Sequence, residues 1–244
     1  MGNVNEPRYR ISDQVAELHV SSSDNFEDMT QGAVVLSYGN SLIYEKDFQL
    51  LEPRGWINDT IVGFALEYFA TEQFKDISKD VYLIAPQVSQ FLKLYQGNDK
   101  KEIDDILESL DLQNKKFIIV PVNDGMSTDS ISGTHWTILV YSKSHRKIVH
   151  LDSFGTYNSK HARNVKGKIG LHLEAFQRLE IIYASCPQQT NYDDCGLFAI
   201  CVAEEICKNI RNGKSDFFSV SFSPEHAADT RVRLKQIILS LGKR

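Results

Sequence analysis

The chain reads as a single α+β domain. Two observations predict this. Short strand-like runs have helix-period stretches before, between and after them, which is the pattern of a sheet layered with helices. The composition, 42 % apolar with thirteen Phe and ten Tyr in 244 residues, is enough to fill a large core.

The elements follow in order. Residues 1–33 are polar and end in SSSDNFEDMTQG; they are read as a flexible extension, with Gln14–Val20 as a candidate short element. The compact domain is expected over 34–244, beginning with a strand at Ala33–Tyr38. Ile57–Phe74 reads as a helix capped by Asn58 or Asp59, with Ile61, Phe64, Ala65, Tyr68 and Phe69 on one face. Shorter helices are expected at Ala85–Gln96 and Lys101–Leu112. Lys115–Asp124 is a buried strand that ends in a Gly- and Ser-rich loop, Asp124–Gly133, whose composition predicts mobility. Strands at Thr134–Ser142 and Arg146–Phe154 follow, then a helix over Ala162–Leu179 and a strand at Leu179–Ser185. A helix over Cys195–Ile210 stops at Asn212–Lys214. The last helix has Ser223 as cap and Pro224 in its first turn.

The net charge of −5 and the scattered Lys and Arg exclude a nucleic-acid surface, which needs clustered cations. No apolar run approaches the roughly 20 residues that span a bilayer, so no membrane association is expected. The polar N-terminus has no secretory pattern, and Glu6 breaks the myristoylation pattern after Met-Gly. Four cysteines without a C-x-x-C pair predict reduced thiols in a cytoplasmic or nuclear protein. Cys195, Cys201 and Cys207 recur every six residues, so a helix spreads them around its axis and they cannot share a metal.

Cys195 has a different setting from the other thiols. Asp193 or Asp194 is a suitable cap, so Cys195 falls in a first helical turn, where the helix dipole and free N–H groups favour thiolate. The two aspartates oppose that effect, and Gly196 is expected to leave room beside the sulfur. The alternative is a small apolar residue in a core, which is how Cys201 and Cys207 are read. A thiol nucleophile needs a base. His135 begins a strand after the flexible loop, and Asp152 ends the next strand. A hairpin with Lys143 and Ser144 at its tip pairs residues whose numbers sum to 287, setting His135 opposite Asp152 with Cβ atoms about 5 Å apart. The carboxylate then fixes the imidazole tautomer. His150 shares that face and is the one rival base; His19, His145, His161, His172 and His226 are read as solvated. For the oxyanion the donors are the Cys195 N–H and either Gln189 or Gln188, which spacing does not separate.

Taken together, GTHW, HLDS and PQQTNYDDCG resemble the His, Asp and Gln…Cys motifs of the ubiquitin-like-modifier proteases, cysteine peptidases of the SUMO-protease type. GWINDTIVGFALEYF resembles that family's Trp-x-Asn-Asp segment, and the stretch from Val34 is similar in particular to the deneddylase branch. The resemblance implies a papain-like α+β fold with rearranged His-Asp-Cys order and a central mixed or antiparallel sheet flanked by helices. It implies His135 as base, Asp152 as its orienter, Cys195 as nucleophile and Gln189, six residues before the cysteine, as oxyanion donor. Trp56 and Trp136 then form a slot over the substrate's Gly-Gly, and Asp59 meets a basic residue of the modifier's tail. Two departures stand out: the doubled aspartate of YDDC and the unmatched first 33 residues. The implied activity is cleavage after the C-terminal Gly-Gly of a ubiquitin-like modifier, the neddylation type preferred, from its lysine conjugates or its precursor. A monomer using no cofactor and no metal is expected. The rivals are a SUMO protease, a deubiquitinase or an acetyltransferase of the same fold, the last disfavoured by the two-Trp slot, and a module that binds a modifier without cutting it.

Overall fold

A computed structural model describes residues 32–97, 99–127 and 133–243. The predicted N-terminal extension, up to residue 31, and residues 128–132 of the predicted mobile loop lie outside them. The chain opens with a two-stranded hairpin, β1 (Val34–Tyr38) and β2 (Ser41–Tyr44), followed by α1 (Glu45–Gln49) and α2 (Asp59–Tyr68). A five-stranded sheet is built from β3 (Val81–Leu83), β4 (Phe117–Asn123), β5 (Trp136–Ser142), β6 (Lys147–Leu151) and β7 (Ile181–Ala184), side by side in that order. The outer pairs are parallel and the inner ones antiparallel, so the sheet is mixed. Helices α3 (Pro86–Leu94) and α4 (Lys100–Leu107) precede β4. Helices α5 (Ser159–His172) and α6 (Glu174–Gln177) join β6 to β7, and α7 (Cys195–Arg211) and α8 (Pro224–Leu241) close the chain.

The sheet is covered on both faces, which is why β4 reads as a continuous apolar run. Phe117, Ile119, Trp136, Ile138, Val140 and Val149 face α2, α7 and α8 in one core. Ile118, Val120, Val122, Leu139 and Ile148 face α3 to α6 in the other. Pro121 sits past the last β3 pair, Leu83–Ile119, where β4 has a neighbour on one side only; a residue without an N–H fits there. Helix α7 is buried almost all round, beyond the single stripe its sequence suggested. Its one fully buried charge, Glu204, is held by both Arg233 nitrogens (2.7 and 2.5 Å) and by Gln73 (2.5 Å).

Several expected elements differ in detail. The Ile57–Phe74 helix widens at Phe69–Gln73 into a π turn, in which the Phe74 N–H donates to the Phe69 carbonyl. That turn buries both rings, 5.7 Å apart, and aims Gln73 at Glu204. The Ala162–Leu179 helix is two helices, broken at the extended Leu173. Gly170 permits the fold-back, since a Cβ there would lie 3.0 Å from the Gln177 Cα. Ser223 occupies the cap position of α8, but its side chain makes no cap hydrogen bond. His172 is not solvated: its side chain is buried between α5 and α4 against Asp104, 2.8 Å away.

The hairpin that carries the site has a longer tip than predicted. Ser142 pairs with Lys147, leaving four residues, Lys143–Arg146, in the turn, with Arg146 at φ +51°. A two-residue turn in a hairpin needs left-handed backbone that Lys-Ser does not favour, whereas a four-residue turn needs it at one place only. Paired residues therefore sum to 289 rather than 287. Because the slip is of two residues, every side chain keeps its face.

Candidate active site

The β5–β6 slip makes His135 and Asp152 diagonal rather than directly opposed, each one residue beyond its strand. They still meet. The His135 Nε2–H donates to the Asp152 Oδ1 at 2.7 Å, with both side chains almost fully buried. Asp152 is held from its other sides: Oδ1 also accepts from the Phe154 N–H (2.8 Å) and Oδ2 from the Asn158 N–H (2.9 Å). Burial alone raises this carboxyl, but the His135 bond and the two backbone donors outweigh it and hold Asp152 below the usual carboxylate range.

The Cys195 sulfur is the second group that acts on this imidazole. Since Nε2 is committed to Asp152, Nδ1 is the nitrogen left to exchange a proton with the sulfur. Burial pulls the His135 pKa down, but the hydrogen bonds and charges of Asp152 and Cys195 lift it to about 9. The ring therefore holds its proton at neutral pH and has an acceptor on either side. The Thr134 carbonyl, 3.6 Å from Sγ, also accepts from the thiol. His150, the rival base, is excluded. Burial pushes it down to about 4, and its Nε2 lies 3.0 Å from the Thr137 Oγ1 inside the sheet's packed face.

Cys195 is the first residue of α7, as predicted, but the cap reading of the aspartates is wrong. Asp194 stands at the cap position with no side-chain cap bond. Its carboxylate is drawn aside by the Arg231 guanidinium (2.7 Å) and the Asn191 amide (2.7 Å). Arg231 also donates to the Leu50 and Glu52 carbonyls, tying α8 to the segment that leads to Trp56. Two consequences follow. The carboxylate that precedes the thiol in sequence has a cationic partner, and the first N–H groups of α7 have no capping side chain among the described residues, as an oxyanion site requires.

The two glutamines, inseparable by spacing, differ in the fold. Gln188 is spent on structure: its amide donates to the Asp152 and Cys186 carbonyls, and its oxygen accepts from the Gly155 N–H. Gln189 is anchored by its oxygen, which accepts from the Ser153 hydroxyl at 2.7 Å, and by one amide bond to the Asn191 carbonyl. Its second amide hydrogen has no acceptor among the described residues.

The remaining predicted residues lie on one segment or against it. Asn58, not Asp59, caps α2: its Oδ1 accepts from the Ile61 N–H, and its amide donates to the buried Asp47 at 2.7 Å. Asp59 is half-buried, with one long contact to Gln87 (3.3 Å). Trp56 is exposed. Trp136 is buried, and its indole N–H donates to the Ile57 carbonyl at 3.0 Å, so it serves as an anchor for the Trp56–Asn58 segment. Gly196 does not leave open space beside the sulfur. A Cβ there would lie 2.6 Å from the Ile57 Cβ, so this glycine lets the start of α7 abut the Trp56 segment.

The residues that motif reading missed are supports. The Asp124 carboxylate accepts from the N–H groups of Thr134 (2.6 Å) and His135 (2.9 Å), fixing the backbone of the base. The Asn158 amide reaches the Val122 and His135 carbonyls. Lys93, buried, donates to the Asn123 and Gly125 carbonyls; burial lowers its pKa to about 8, against the pull of Asp124. Asn158 has the sequence signature of a helix cap, and nothing local distinguishes its actual use.

Comparison with known proteins places this arrangement in context. The model of the Ulp1 protease family, C-terminal catalytic domain, matches residues 55–239. Sentrin-specific protease 8 of Homo sapiens is 38 % identical over 216 residues, covering 86 % of this chain and 99 % of that protein. NEDD8-specific protease 1 of Arabidopsis thaliana is 27 % identical, covering 86 % and 92 % respectively. Among solved structures, a C-terminal Ulp1 protease domain in complex with Smt3, the yeast orthologue of SUMO, is 18 % identical. It superposes over 98 % of both chains with a TM-score of 0.65, so it shares the fold.

Proposed function

The chain belongs to the Ulp1 protease family, and from that membership we propose that it cleaves after the C-terminal Gly-Gly of a ubiquitin-like modifier, with NEDD8 as the preferred one. It is a cysteine peptidase. The choice of NEDD8 rests on relatives that carry that modifier in their names. The observation that carries the reading is one imidazole engaged by a buried carboxylate at 2.7 Å and by a thiol at the start of a helix.

In the proposed mechanism the proton that leaves Cys195 already rests on His135 Nδ1 when the thiolate sulfur attacks the glycine carbonyl. The oxyanion is held by the Cys195 N–H and the Gln189 amide. Collapse breaks the C–N bond, and the His135 proton goes to the leaving amine. Water, activated by the same imidazole, then cleaves the thioester and releases the modifier's carboxylate. Asp152 keeps the ring oriented throughout. Trp56 lies over the Gly-Gly tail, where selection works by excluding side chains wider than hydrogen. Trp136 contributes by fixing the segment that carries Trp56. Asp59, relieved of capping by Asn58, is placed to meet a basic residue of the tail.

We further propose that residues 34–244 act as one catalytic domain and as a monomer, without nucleic acid or membrane. Four free cysteines fit a cytoplasmic or nuclear setting. The test is covalent capture by NEDD8, SUMO and ubiquitin carrying C-terminal electrophiles, offered in parallel. NEDD8 is expected to label the protein at Cys195 and the Cys195→Ala variant not at all. Faster labelling by SUMO or ubiquitin overturns the modifier assignment, and labelling that survives Cys195→Ala overturns the mechanism.

A further inference from the structure

Three aromatic side chains stand in solvent beside the imidazole. Phe154 is 47 % exposed, Tyr157 58 % and Tyr192 78 %. They form one connected group. The Tyr157 ring lies 5.5 Å from that of His135, nearly perpendicular to it, and the Phe154 ring lies 6.1 Å away. Phe154 in turn meets Tyr157 at 6.2 Å and Tyr192 at 6.3 Å. Neither tyrosine hydroxyl has a hydrogen-bond partner among the described residues. A connected apolar patch at the mouth of a site marks a surface that something covers.

We propose that these rings are the leaving-group platform of the enzyme. Their occupant is the methylene chain of the conjugated lysine, together with the target-protein residues that flank it. The inference rests on reading His135 as the acid that protonates the leaving amine. In that step the isopeptide C–N bond breaks, the C–S bond to Cys195 has formed, and the proton moves from the imidazole to the departing lysine nitrogen. The nitrogen therefore comes within hydrogen-bond reach of the ring, and the methylenes behind it cross whatever borders the ring. Phe154 and Tyr157 border it. The modifier's tail is assigned to the other flank, where the Trp56 segment abuts Gly196. An isopeptide nitrogen carries no charge before cleavage, so an apolar surface suits its chain, and aromatic faces bury methylenes well. Tyr192, on the loop between Gln189 and Cys195, carries the platform outward towards the flanking residues.

The experiment compares two leaving groups on the same NEDD8 chain: the ε-amine of a lysine within a short peptide, and methanol, from the methyl ester. Only the first has a chain to lay on the rings. The quantity read is the ratio of the two kcat/KM values. In the Tyr157→Ser, Tyr192→Ser double variant this ratio is expected to fall about tenfold, and replacing both tyrosines by Phe is expected to restore it. Tyr192→Ser alone makes no change in ring contact with His135 and is expected to lower the ratio about threefold. Equal losses on both substrates, leaving the ratio unmoved, would mean that the rings only support the imidazole, and would overturn the proposal; unchanged rates on both would do so as well. Ester hydrolysis by the wild-type protein bears on the functional reading by itself, so an unmoved ratio counts against the platform alone.

Discussion

The first turn of α7 and its middle carry the same side chain in two different environments. Cys201 and Cys207 lie in the core, and burial pushes both thiols up to about 12. Cys195, six and twelve residues earlier, is nearly as inaccessible, yet its sulfur has His135 and the Thr134 carbonyl as partners. Burial therefore does not separate a reactive cysteine from an inert one; the partners do. The histidines of the β5–β6 hairpin repeat the lesson. His135 and His150 are both buried, but the partners of the first lift it to about 9, while burial leaves the second at about 4. The imidazole that keeps its proton at neutral pH is the one between a carboxylate and a thiol.

The strongest way to break this contrast is to remove the carboxylate. Asp152→Asn preserves shape and one acceptor, but it removes the charge and the preference for Nε2–H. Turnover of a NEDD8 conjugate is expected to fall on the order of 10³- to 10⁴-fold, read as kcat. A loss under tenfold would mean that the 2.7 Å contact does little beyond packing.

A second test sharpens the comparison through pH. The folded His135 pKa, about 9, lies above its ordinary value of 6.5. The stability drawn from its partners is thus fully present below about 6.5 and is lost as pH rises through about 9. Asp152 is shifted the other way, so its contribution is present above the ordinary carboxyl range and is lost as pH falls through its depressed folded value. The kcat/KM of the wild-type protein is expected to drop with an alkaline limb near 9, about tenfold per pH unit beyond it. In Cys195→Ala one of the groups that raise His135 is gone. Ring titration followed by NMR is then expected to show a lower pKa than in the wild-type protein. An unchanged value would mean that the thiol is not coupled to the imidazole.

The smallest effect is expected at the inert end. Cys201→Ala removes a buried sulfur that contacts the Thr230 hydroxyl, and is expected to lower unfolding stability by about 1 kcal/mol in urea while leaving turnover within twofold. A large loss of turnover there would blur the distinction between the two ends of the helix.

Much of the site was legible in one dimension because its chemistry is local. A cysteine at a helix start, a histidine at a strand start and an aspartate at a strand end follow from the periodicity around each of them. Their meeting survived an error in register because a slip of two residues keeps the face. Other features were not legible, and each depends on contacts between segments far apart in the chain. Asp194 looked like a cap because aspartate before a helix usually is one; Arg231, 37 residues later, takes its carboxylate away. Gln188 and Gln189 are chemically identical neighbours, and only the packing of the loop against Ser153 and Gly155 gives them different partners. Gly196 looked like open space until Ile57 occupied it.

The amino-acid sequence by itself determined the alternation of strands and helices, the layered class and the identity of the reacting groups. These depend on side-chain period and on residue chemistry, and both are written along the chain. The tertiary structure alone decided which charges are neutralised, which donors stay free and how far each imidazole is desolvated. Those quantities depend on distance and dielectric, and both are set by segments that meet only when the chain has folded.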